Sequence, residues 1–409
     1  MFHSQNVTLL IFAASYLTLA VGHLFSFKIN RTGIALLGAI LMVTLGGLGP
    51  QEALRSVNFP TLITLYGLMI LSGQLWLAGF YTWVAQKISA AMDRPKFFLF
   101  LLMSVSGLLS AFLINDVVCL AFTPVVALSV MKKGRNPIPF LMGLAMASNI
   151  GAAATPIGNP QNIMIASIAE LHFPTYLIWC LPPVLLALAA AYGLTLVLGK
   201  KELEDPIPYR EPTVAFPLLD KAETAKGLVL FGLVIVLFFS PLPRPLVMIS
   251  AAGLLLLSRS ISSTDLLARV DYSILTLFTG LFIVVGGLQA TGFPVHALHT
   301  LETWGIPLEN PYILGLVTAL LSNLMSNAAT VILLAKTLPL ENSTIAYVLA
   351  LSNSFAGNLI VIGSIANLIV VEQASHYGVE IRFRHFARYG IPVTVSSLLV
   401  LCFWIWLKA

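Results

Sequence analysis

Apolar stretches long enough to cross a lipid bilayer recur along the whole chain, and they limit the possible folds more than any other feature. A transmembrane helix needs about 20 consecutive apolar residues. Only 10% of the 409 residues are charged, whereas a soluble domain carries about 25%. The chain is therefore predicted to be an all-α polytopic membrane protein with ten crossings, at residues 5–25, 31–49, 58–76, 138–170, 173–198, 225–240, 244–258, 271–288, 344–373 and 387–407.

Two further apolar segments, residues 97–131 and 310–337, have a polar break in their middle and fit poorly as single spans. We interpret each as a re-entrant hairpin. With the N-terminus outside and hairpin one entering from the cytoplasm, 18 of the 22 lysines and arginines fall in cytoplasmic loops or at their edges. This is the distribution that the positive-inside rule requires. The sequence thus predicts a multi-pass protein of the inner (plasma) membrane in this orientation.

The chain also repeats part of its own sequence. The 24 residues from Val57, VNFPTLITLYGLMILSGQLWLAGF, match those from Val270, VDYSILTLFTGLFIVVGGLQATGF, at nine positions without a gap. LSAFLIND then parallels LSNLMSNA, and IGNPQN parallels IGSIAN, in the same order. An odd number of crossings per repeat inverts the second relative to the first. We therefore predict two inverted repeats of five transmembrane helices plus one re-entrant hairpin and with one broken helix each: an N-terminal repeat 1–198 (hairpin about 97–131, broken helix about 138–170), a cytoplasmic linker 199–225, and a C-terminal repeat 226–409 (hairpin about 310–337, broken helix about 344–373).

Polar, turn-forming residues interrupt two of the predicted crossings, in TPIGNPQN from Thr155 and in NSFAGNLIVIGSIAN from Asn353. Simple kinks or close helix packing would also use such residues. Interrupted helices in inverted repeats are, however, typical of secondary transporters, where the freed backbone groups line a binding cavity. The candidate substrate- and ion-binding residues lie in these two stretches and at the two hairpin tips: Asn115, Asp116, Ser148, Asn149, Thr155, Gly158, Asn159, Asn162, Ser326, Asn327, Thr330, Asn353, Ser354, Asn358, Gly363, Ser364 and Asn367.

Asp116 is the only acidic residue that we place inside a membrane segment. A carboxylate there costs ~2.5–3.5 kcal/mol, so Asp116 is expected to face the cavity. It would carry a proton, or help to hold sodium near Asn115 and Asn327; a protonated structural aspartate is the alternative. No lysine or arginine is placed in a membrane core, so we expect amides, helix dipoles and a co-bound cation, and not an arginine, to meet the substrate's charge. No catalytic or ATP-binding motif is found. We therefore expect no enzymatic activity and no cofactor other than the coupling ion.

Three stretches resemble the ion transporter superfamily, which groups arsenite permeases, citrate-type carriers, sodium/dicarboxylate symporters and a class of sodium/proton antiporters. ASNIGAAATPIGNPQNIMIA is similar to the superfamily's AN-G-GG-AAT-P-GDPPN segment. INDVVCLAFTP resembles the ANDGAALILTP hairpin of arsenite permeases, with Asn115 and Asp116 matching. VIGSIANLIVVEQASHYGVEIRFRHFARYGIPVT resembles the segment after their second site. The tips Ile114-Asn115-Asp116 and Ser326-Asn327-Ala328 depart from the Ser-Asn-Thr that is usual in the sodium/dicarboxylate branch.

The resemblance covers nearly the whole chain and implies an elevator mechanism, in which hairpins and broken helices slide against a scaffold of the other helices. It also implies dimers in some branches, and it allows the ATPase partner that some arsenite permeases take. The expected partners are a small substrate, the lipid bilayer and a second copy of the chain. Nucleic acid is not expected, because basic residues in a membrane protein report topology.

Together these features predict a secondary active transporter of a small anion or oxyanion, arsenite-like, carboxylate or inorganic, coupled to protons or sodium. An asparagine-rich site suits a small oxyanion or a neutral hydroxide such as arsenite, because amides both donate and accept hydrogen bonds. The alternative is a sodium/proton antiporter that uses Asp116. An ion channel would need a continuous pore, and two opposed hairpins argue against one.

Overall fold

The computed structural model describes residues 2–21, 28–202 and 218–408, and the regular elements within these ranges are all helical. Residues 203–217, most of the predicted linker, lie outside the described residues. In chain order the helices are α1 (Phe2–Val21), α2 (Arg31–Thr44), α3 (Pro50–Ser56), α4 (Phe59–Leu77), α5 (Phe80–Ser89), α6 (Pro95–Phe112), α7 (Asn115–Lys132), α8 (Ile138–Ala152), α9 (Pro160–Ile168), α10 (Phe173–Leu198), α11 (Lys221–Phe238), α12 (Arg244–Leu256), α13 (Ser263–Leu267), α14 (Tyr272–Ala290), α15 (Phe293–Thr303), α16 (Pro311–Met325), α17 (Asn327–Thr337), α18 (Ser343–Ala356), α19 (Ile365–His376) and α20 (Phe383–Lys408), with a 3-10 turn at Val361–Gly363.

Six of the described helices, α4, α6, α7, α10, α14 and α20, are long and apolar enough to cross a membrane, and five shorter ones are also apolar. Large apolar side chains such as Leu108, Ile178 and Val197 cover their outer faces and are 61%, 72% and 74% exposed. A helix satisfies its own backbone hydrogen bonds, so such a surface is stable in lipid. The fold is a multi-span helical membrane protein, as the sequence predicts.

Four pairs of helices are interrupted where the sequence places polar residues. The break lies at residues 113–114 between α6 and α7, and at Ser326 (φ 128°) between α16 and α17. It is longer, residues 153–159 and 357–364, between α8 and α9 and between α18 and α19. Each break leaves backbone N–H and C=O groups without partners in their own helix. How these pairs enter the membrane stays a prediction at this stage.

The helices that carry the two 24-residue matches are capped alike. Asn58 precedes α4 with φ −84° and ψ 87°, and Asp271 precedes α14 with φ −81° and ψ 87°. At the other ends, Gly79 and Gly292 adopt left-handed φ values of 74° and 71° and begin the short helices α5 and α15. A residue with a side chain rarely adopts this backbone conformation, which explains why both positions are glycine.

Helices α8 and α18 lie at the centre of the protein. Every residue of α8 from Pro139 to Ala152 is buried, and so is every residue of α18 from Ile345 to Ala356. A Cβ atom on Gly151 of α8 would clash with the backbone of Gly107 in α6, so these two helices touch through their main chains. Small residues allow such close approach in membranes. The C-terminal ends of α8 and α18 then lead into the two longer breaks.

Candidate functional site

Two asparagines stabilise the backbone conformation of the two long breaks through equivalent hydrogen bonds. Asn162 Nδ2 donates to the carbonyl oxygens ten and seven residues earlier, Ala152 O at 3.0 Å and Thr155 O at 3.3 Å. Asn367 Nδ2 does the same ten and seven residues back, at 2.7 and 3.3 Å. Both side chains are fully buried. Each amide therefore satisfies two carbonyl groups that the unwound backbone would otherwise leave unpaired.

A second matched set of hydrogen bonds joins each of the two short breaks to a central helix, α8 or α18. Ser148 Oγ donates to Asn115 O at 3.2 Å and lies 2.8 Å from the hydroxyl of Ser110. In the other half, Asn353 Nδ2 donates to Asn327 O at 3.2 Å and to the hydroxyl of Ser322 at 2.9 Å. These bonds fix the first residue of α7 against α8 and the first residue of α17 against α18.

Asn149 connects the two halves at the centre of the protein. Its Nδ2 donates to Asn358 Oδ1 and to Asn367 Oδ1, both at 2.9 Å. Its Oδ1 accepts from Asn115 Nδ2 at 3.2 Å and from Ser364 Oγ at 2.9 Å. An amide has two N–H donors and two lone pairs, so this network uses the full hydrogen-bonding capacity of Asn149.

A cavity of about 470 Å³ opens beside this network. Nine of the predicted site residues line it: Asn115, Asp116, Asn149, Asn159, Ser326, Asn327, Ser354, Gly363 and Ser364. Asn159 Nδ2 also donates to Ser354 Oγ at 3.0 Å and so links the halves at the cavity wall. The structure thus brings residues from both long breaks and both short breaks to one place.

The other eight predicted residues, Ser148, Thr155, Gly158, Asn162, Thr330, Asn353, Asn358 and Asn367, do not line this cavity. Most of them hold the backbone behind it. Thr155 Oγ1 donates to Ala111 O, and Asn358 Nδ2 donates to Met146 O at 3.4 Å. A Cβ on Gly158 would clash with Ala152 O, which explains the glycine. Thr330 is fully buried, and its hydroxyl has no hydrogen-bond partner among the described residues.

The cavity wall includes an arginine that the sequence analysis did not name. Arg31, the first residue of α2, lines the cavity, and so does a second carboxylate, Asp271, the N-cap of α14. The sequence analysis placed both at span ends and missed them, along with their polar neighbours Asn30, Thr32 and Ser273. Their local sequences carry no sign of a site, because only the packing of α2 on α14, and of α14 on α17, brings them to the cavity.

Four helix N-termini contribute positive charge to the cavity. The first residues of α7, α9, α17 and α19 all line it, namely Asn115, Pro160, Asn327 and Ile365. A helix N-terminus carries about half a unit of positive charge, because its first N–H groups have no partner within the helix. Side chains already cap Asn162 N in α9 and Ala329 N in α17. Among the described lining residues, one guanidinium and two carboxylates accompany these dipoles, and the remaining polar groups are neutral amides and hydroxyls.

The sequence analysis named a possible sodium site near Asn115, Asp116 and Asn327. The Oδ1 atoms of Asn115 and Asn327 are buried and lack a partner among the described residues, and Asp116 lines the same cavity. Amide and carboxylate oxygens are the ligands that a hard cation prefers. The described residues contain no group of three or more His, Cys, Asp or Glu side chains that could hold a metal ion.

Comparison with known proteins identifies the family. A family model described as citrate transporter matches residues 9–341. The chain belongs to the citrate transporter family. This confirms the resemblance to the ion transporter superfamily, and the protein is a membrane transporter and not an enzyme.

Relatives of this family member cover most of its length. An uncharacterized transporter of Mycobacterium tuberculosis is 31% identical over 98% of each chain. The silicon efflux transporter LSI3 of Oryza sativa subsp. japonica is 26% identical over 90% of each chain. The arsenical pump membrane protein of Yersinia enterocolitica is 25% identical over 82% of this chain and 83% of its own. The crystal structure of the Alcanivorax borkumensis YdaH transporter has the same fold, with a TM-score of 0.56 at 17% identity over 99% of this chain and 98% of that one.

Proposed function

We propose that this transporter moves small oxyacids or their anions, with neutral hydroxides such as arsenite as the preferred class. The observation that carries the proposal is the composition of the cavity wall. Its amides and hydroxyls stand at four helix N-termini, with one arginine and two carboxylates. A neutral polyhydroxide both donates and accepts hydrogen bonds in several directions, and this wall offers both kinds of partner.

The same wall is a poor match for a tricarboxylate such as citrate. Three substrate carboxylates would meet the single guanidinium of Arg31 and would be repelled by Asp116 and Asp271. Desolvating a charge without a close partner costs several kcal/mol. A small undissociated oxyacid avoids this cost. The names of two relatives, a silicon efflux transporter and an arsenical pump membrane protein, agree with this substrate class.

Transport would follow alternating access of two inverted repeats, coupled to protons or sodium. Three observations support the proposal of two repeats. The sequence segments match, the N-cap residues of α4 and α14 have similar backbone angles, and Asn162 and Asn367 donate equivalent hydrogen bonds. Breaks beside the cavity are the pattern expected of such carriers. Asp116, whose carboxylate makes no hydrogen bond within the described part of the chain, would bind the coupling ion. The N-terminus would lie outside, with hairpin one entering from the cytoplasm.

A sodium/proton antiporter is the second candidate. Two carboxylates, Asp116 and Asp271, line one cavity, and they would serve two competing cations without any organic or inorganic anion. This reading predicts that sodium and pH change the protein's stability while oxyacids do not.

A thermal-shift screen of the purified protein in detergent tests the proposal. It crosses sodium and potassium at two pH values with arsenite, silicic acid, phosphate, citrate and no additive. A ligand at about 100 times its Kd stabilises the folded state by ~2.7 kcal/mol. We expect arsenite or silicic acid to raise the melting temperature of the wild type but not of Asn159→Ala. Asn342→Ala, at an exposed helix cap, is the matched control and should keep the shift. Stabilisation by citrate alone, or by sodium alone, would contradict the assignment.

A further inference from the structure

Arg244, the first residue of α12, caps the C-terminal end of the half-helix α9. Its guanidinium donates to Ala166 O and to Leu171 O. Just after α9, Glu170 adopts a left-handed conformation (φ 49°), and Leu171 N donates to Ala166 O at 3.0 Å. Carbonyl groups at a helix C-terminus carry partial negative charge, and a cation there is stabilising. Arg244 therefore ties α12 to the half-helix whose other end lines the cavity.

Arg31 is the partner of Arg244 in the sequence repeat. The offset that aligns Val57 with Val270 also aligns Arg31 with Arg244, and each arginine is the first residue of its helix, α2 or α12. Their surroundings differ. Arg31 lines the open cavity and makes no hydrogen bond or ion pair with the described residues. Among the described residues, one arginine thus has hydrogen-bond partners and its counterpart has none.

The half-helix that corresponds to α9 offers Arg31 an equivalent end. Helix α19 also finishes in a left-handed residue, Gly378 (φ 77°), and Val379 N donates to Ala374 O at 3.1 Å. Ala374 O and Val379 O thus occupy the positions that Ala166 O and Leu171 O occupy in α9. In this structure no described side chain donates to either of them.

The helix caps next to the arginines show the same asymmetry. Asn58, the N-cap of α4, accepts a hydrogen bond from Ser167 Oγ of α9 at 3.1 Å. Its repeat counterpart Asp271, the N-cap of α14, lines the cavity. Two pairs therefore agree: Arg244 and Asn58 contact α9, whereas their counterparts Arg31 and Asp271 line the cavity. By the predicted topology, Arg31 and Asp271 lie on the cytoplasmic side, so this conformation is open to the cytoplasm.

We propose that Arg244 and Arg31 are alternating caps, each stabilising one of the two transport states. In the cytoplasm-open state Arg244 caps α9 and Arg31 is free. In the opposite state Arg31 caps α19 at Ala374 O and Val379 O, and Arg244 is released into the outward cavity. The inference rests on the proposed alternating-access function. In this exchange both arginines act as positioning residues, because each sets the balance of states through the half-helix that it caps.

Site-directed labelling tests the exchange. In a background with Cys119, Cys180 and Cys402 replaced by serine, Ser273→Cys places one thiol on the cavity wall. A membrane-impermeant maleimide added to the cytoplasmic side of oriented vesicles reports the cytoplasm-open fraction. Loss of a charged cap should change the ratio of states about tenfold, or ~1.4 kcal/mol. Arg244→Gln should lower the labelling rate, Arg31→Gln should raise it, and the double variant should return close to the parent.

Controls separate this effect from damage to the fold. Arg55→Gln, at an exposed arginine in α3, should leave labelling unchanged. Arg244→Lys keeps the charge but replaces the planar guanidinium, whose Nη2 makes both bonds, by an ammonium group on a differently shaped side chain. It should therefore lower labelling less than Arg244→Gln. If the glutamine variant does not elute as a single species, the lysine variant decides the question. Unchanged labelling, or a shift in the same direction from both arginines, would overturn the proposal.

The readout needs no substrate, so failures of the two proposals can be told apart. If labelling shifts in opposite directions while no oxyacid binds or is transported, the caps stand and the substrate assignment fails. If an oxyacid is transported while labelling does not respond to either arginine, the substrate assignment stands and the alternating caps fail.

Discussion

Replacing Asn149 by alanine should be among the most damaging single changes to the site. The substitution removes four hydrogen bonds that join α8 to α7 and to the second long break. Two of the abandoned partners, Asn115 and Ser364, line the cavity, where water replaces the lost bonds. The other two, Asn358 and Asn367, are fully buried, and their Oδ1 atoms have no other donor among the described residues.

The cost follows from those two buried oxygens. An unsatisfied buried polar group costs about 1–3 kcal/mol, so Asn149→Ala should lower the free energy of unfolding by ~2–6 kcal/mol. Hydrogen bonds between membrane helices average only about 0.6 kcal/mol in measured cycles. Four such bonds give ~2.4 kcal/mol, which favours the lower half of the range. The same change should abolish substrate stabilisation, because Asn115 and Ser364 lose their orientation.

Equilibrium unfolding in mixed detergent micelles measures this loss. Asn342→Ala is the control, because it removes one exposed helix-cap bond and should cost only about 1 kcal/mol. The reasoning is refuted if Asn149→Ala is no more destabilising than Asn342→Ala. It is also refuted if Asn149→Ala keeps the wild-type response to arsenite.

Three further predictions address other parts of the site. Gly158→Ala should prevent accumulation of folded protein, because its Cβ would collide with a backbone carbonyl oxygen. Gly232→Ala, whose Cβ meets nothing within 4 Å, is the control and should express and melt like the wild type. The yield of monodisperse protein from size-exclusion chromatography measures the difference. Asn162→Ala and Asn367→Ala each remove two bonds to unwound backbone, so transport rates should fall to a similar extent, and a loss confined to one would argue against equivalent breaks. Asp116→Asn should retain oxyacid binding but lose its dependence on sodium or pH, measured as the change in apparent Kd between the two conditions; an unaltered dependence would exclude Asp116 as the ion site.

Much of the architecture could be predicted from residue types alone. Asn159 and Pro160 are a strong N-cap and first-turn pair, so the start of α9 follows from local chemistry. The break at Ser326 and the start of α7 at Asn115 likewise coincide with polar residues in apolar runs. The short helices α5 and α15 were not predicted. Each is a 10- or 11-residue segment after a glycine, and such a segment carries too few residues for a clear pattern.

The cavity itself could be predicted only in part. Residues in the breaks were identifiable because polar groups in a membrane segment are energetically costly and therefore usually functional. Arg31 and Asp271 stand at helix ends, where charged residues are ordinary, and only tertiary packing brings them to the cavity wall. The repeat offset that pairs Arg31 with Arg244 was present in the sequence. The proposed exchange of caps, however, depends on the contact of Arg244 with the end of α9. That contact cannot be predicted from the local sequence.

Transport by the purified protein in proteoliposomes tests the central claim most directly. Vesicles loaded with arsenite, silicic acid or citrate would be diluted into substrate-free buffer under a sodium or proton gradient, and the retained solute would be followed over time. The account predicts that arsenite or silicic acid leaves faster than from vesicles with Asn159→Ala, while citrate is retained. Rapid, gradient-dependent citrate movement without movement of either hydroxide would contradict it.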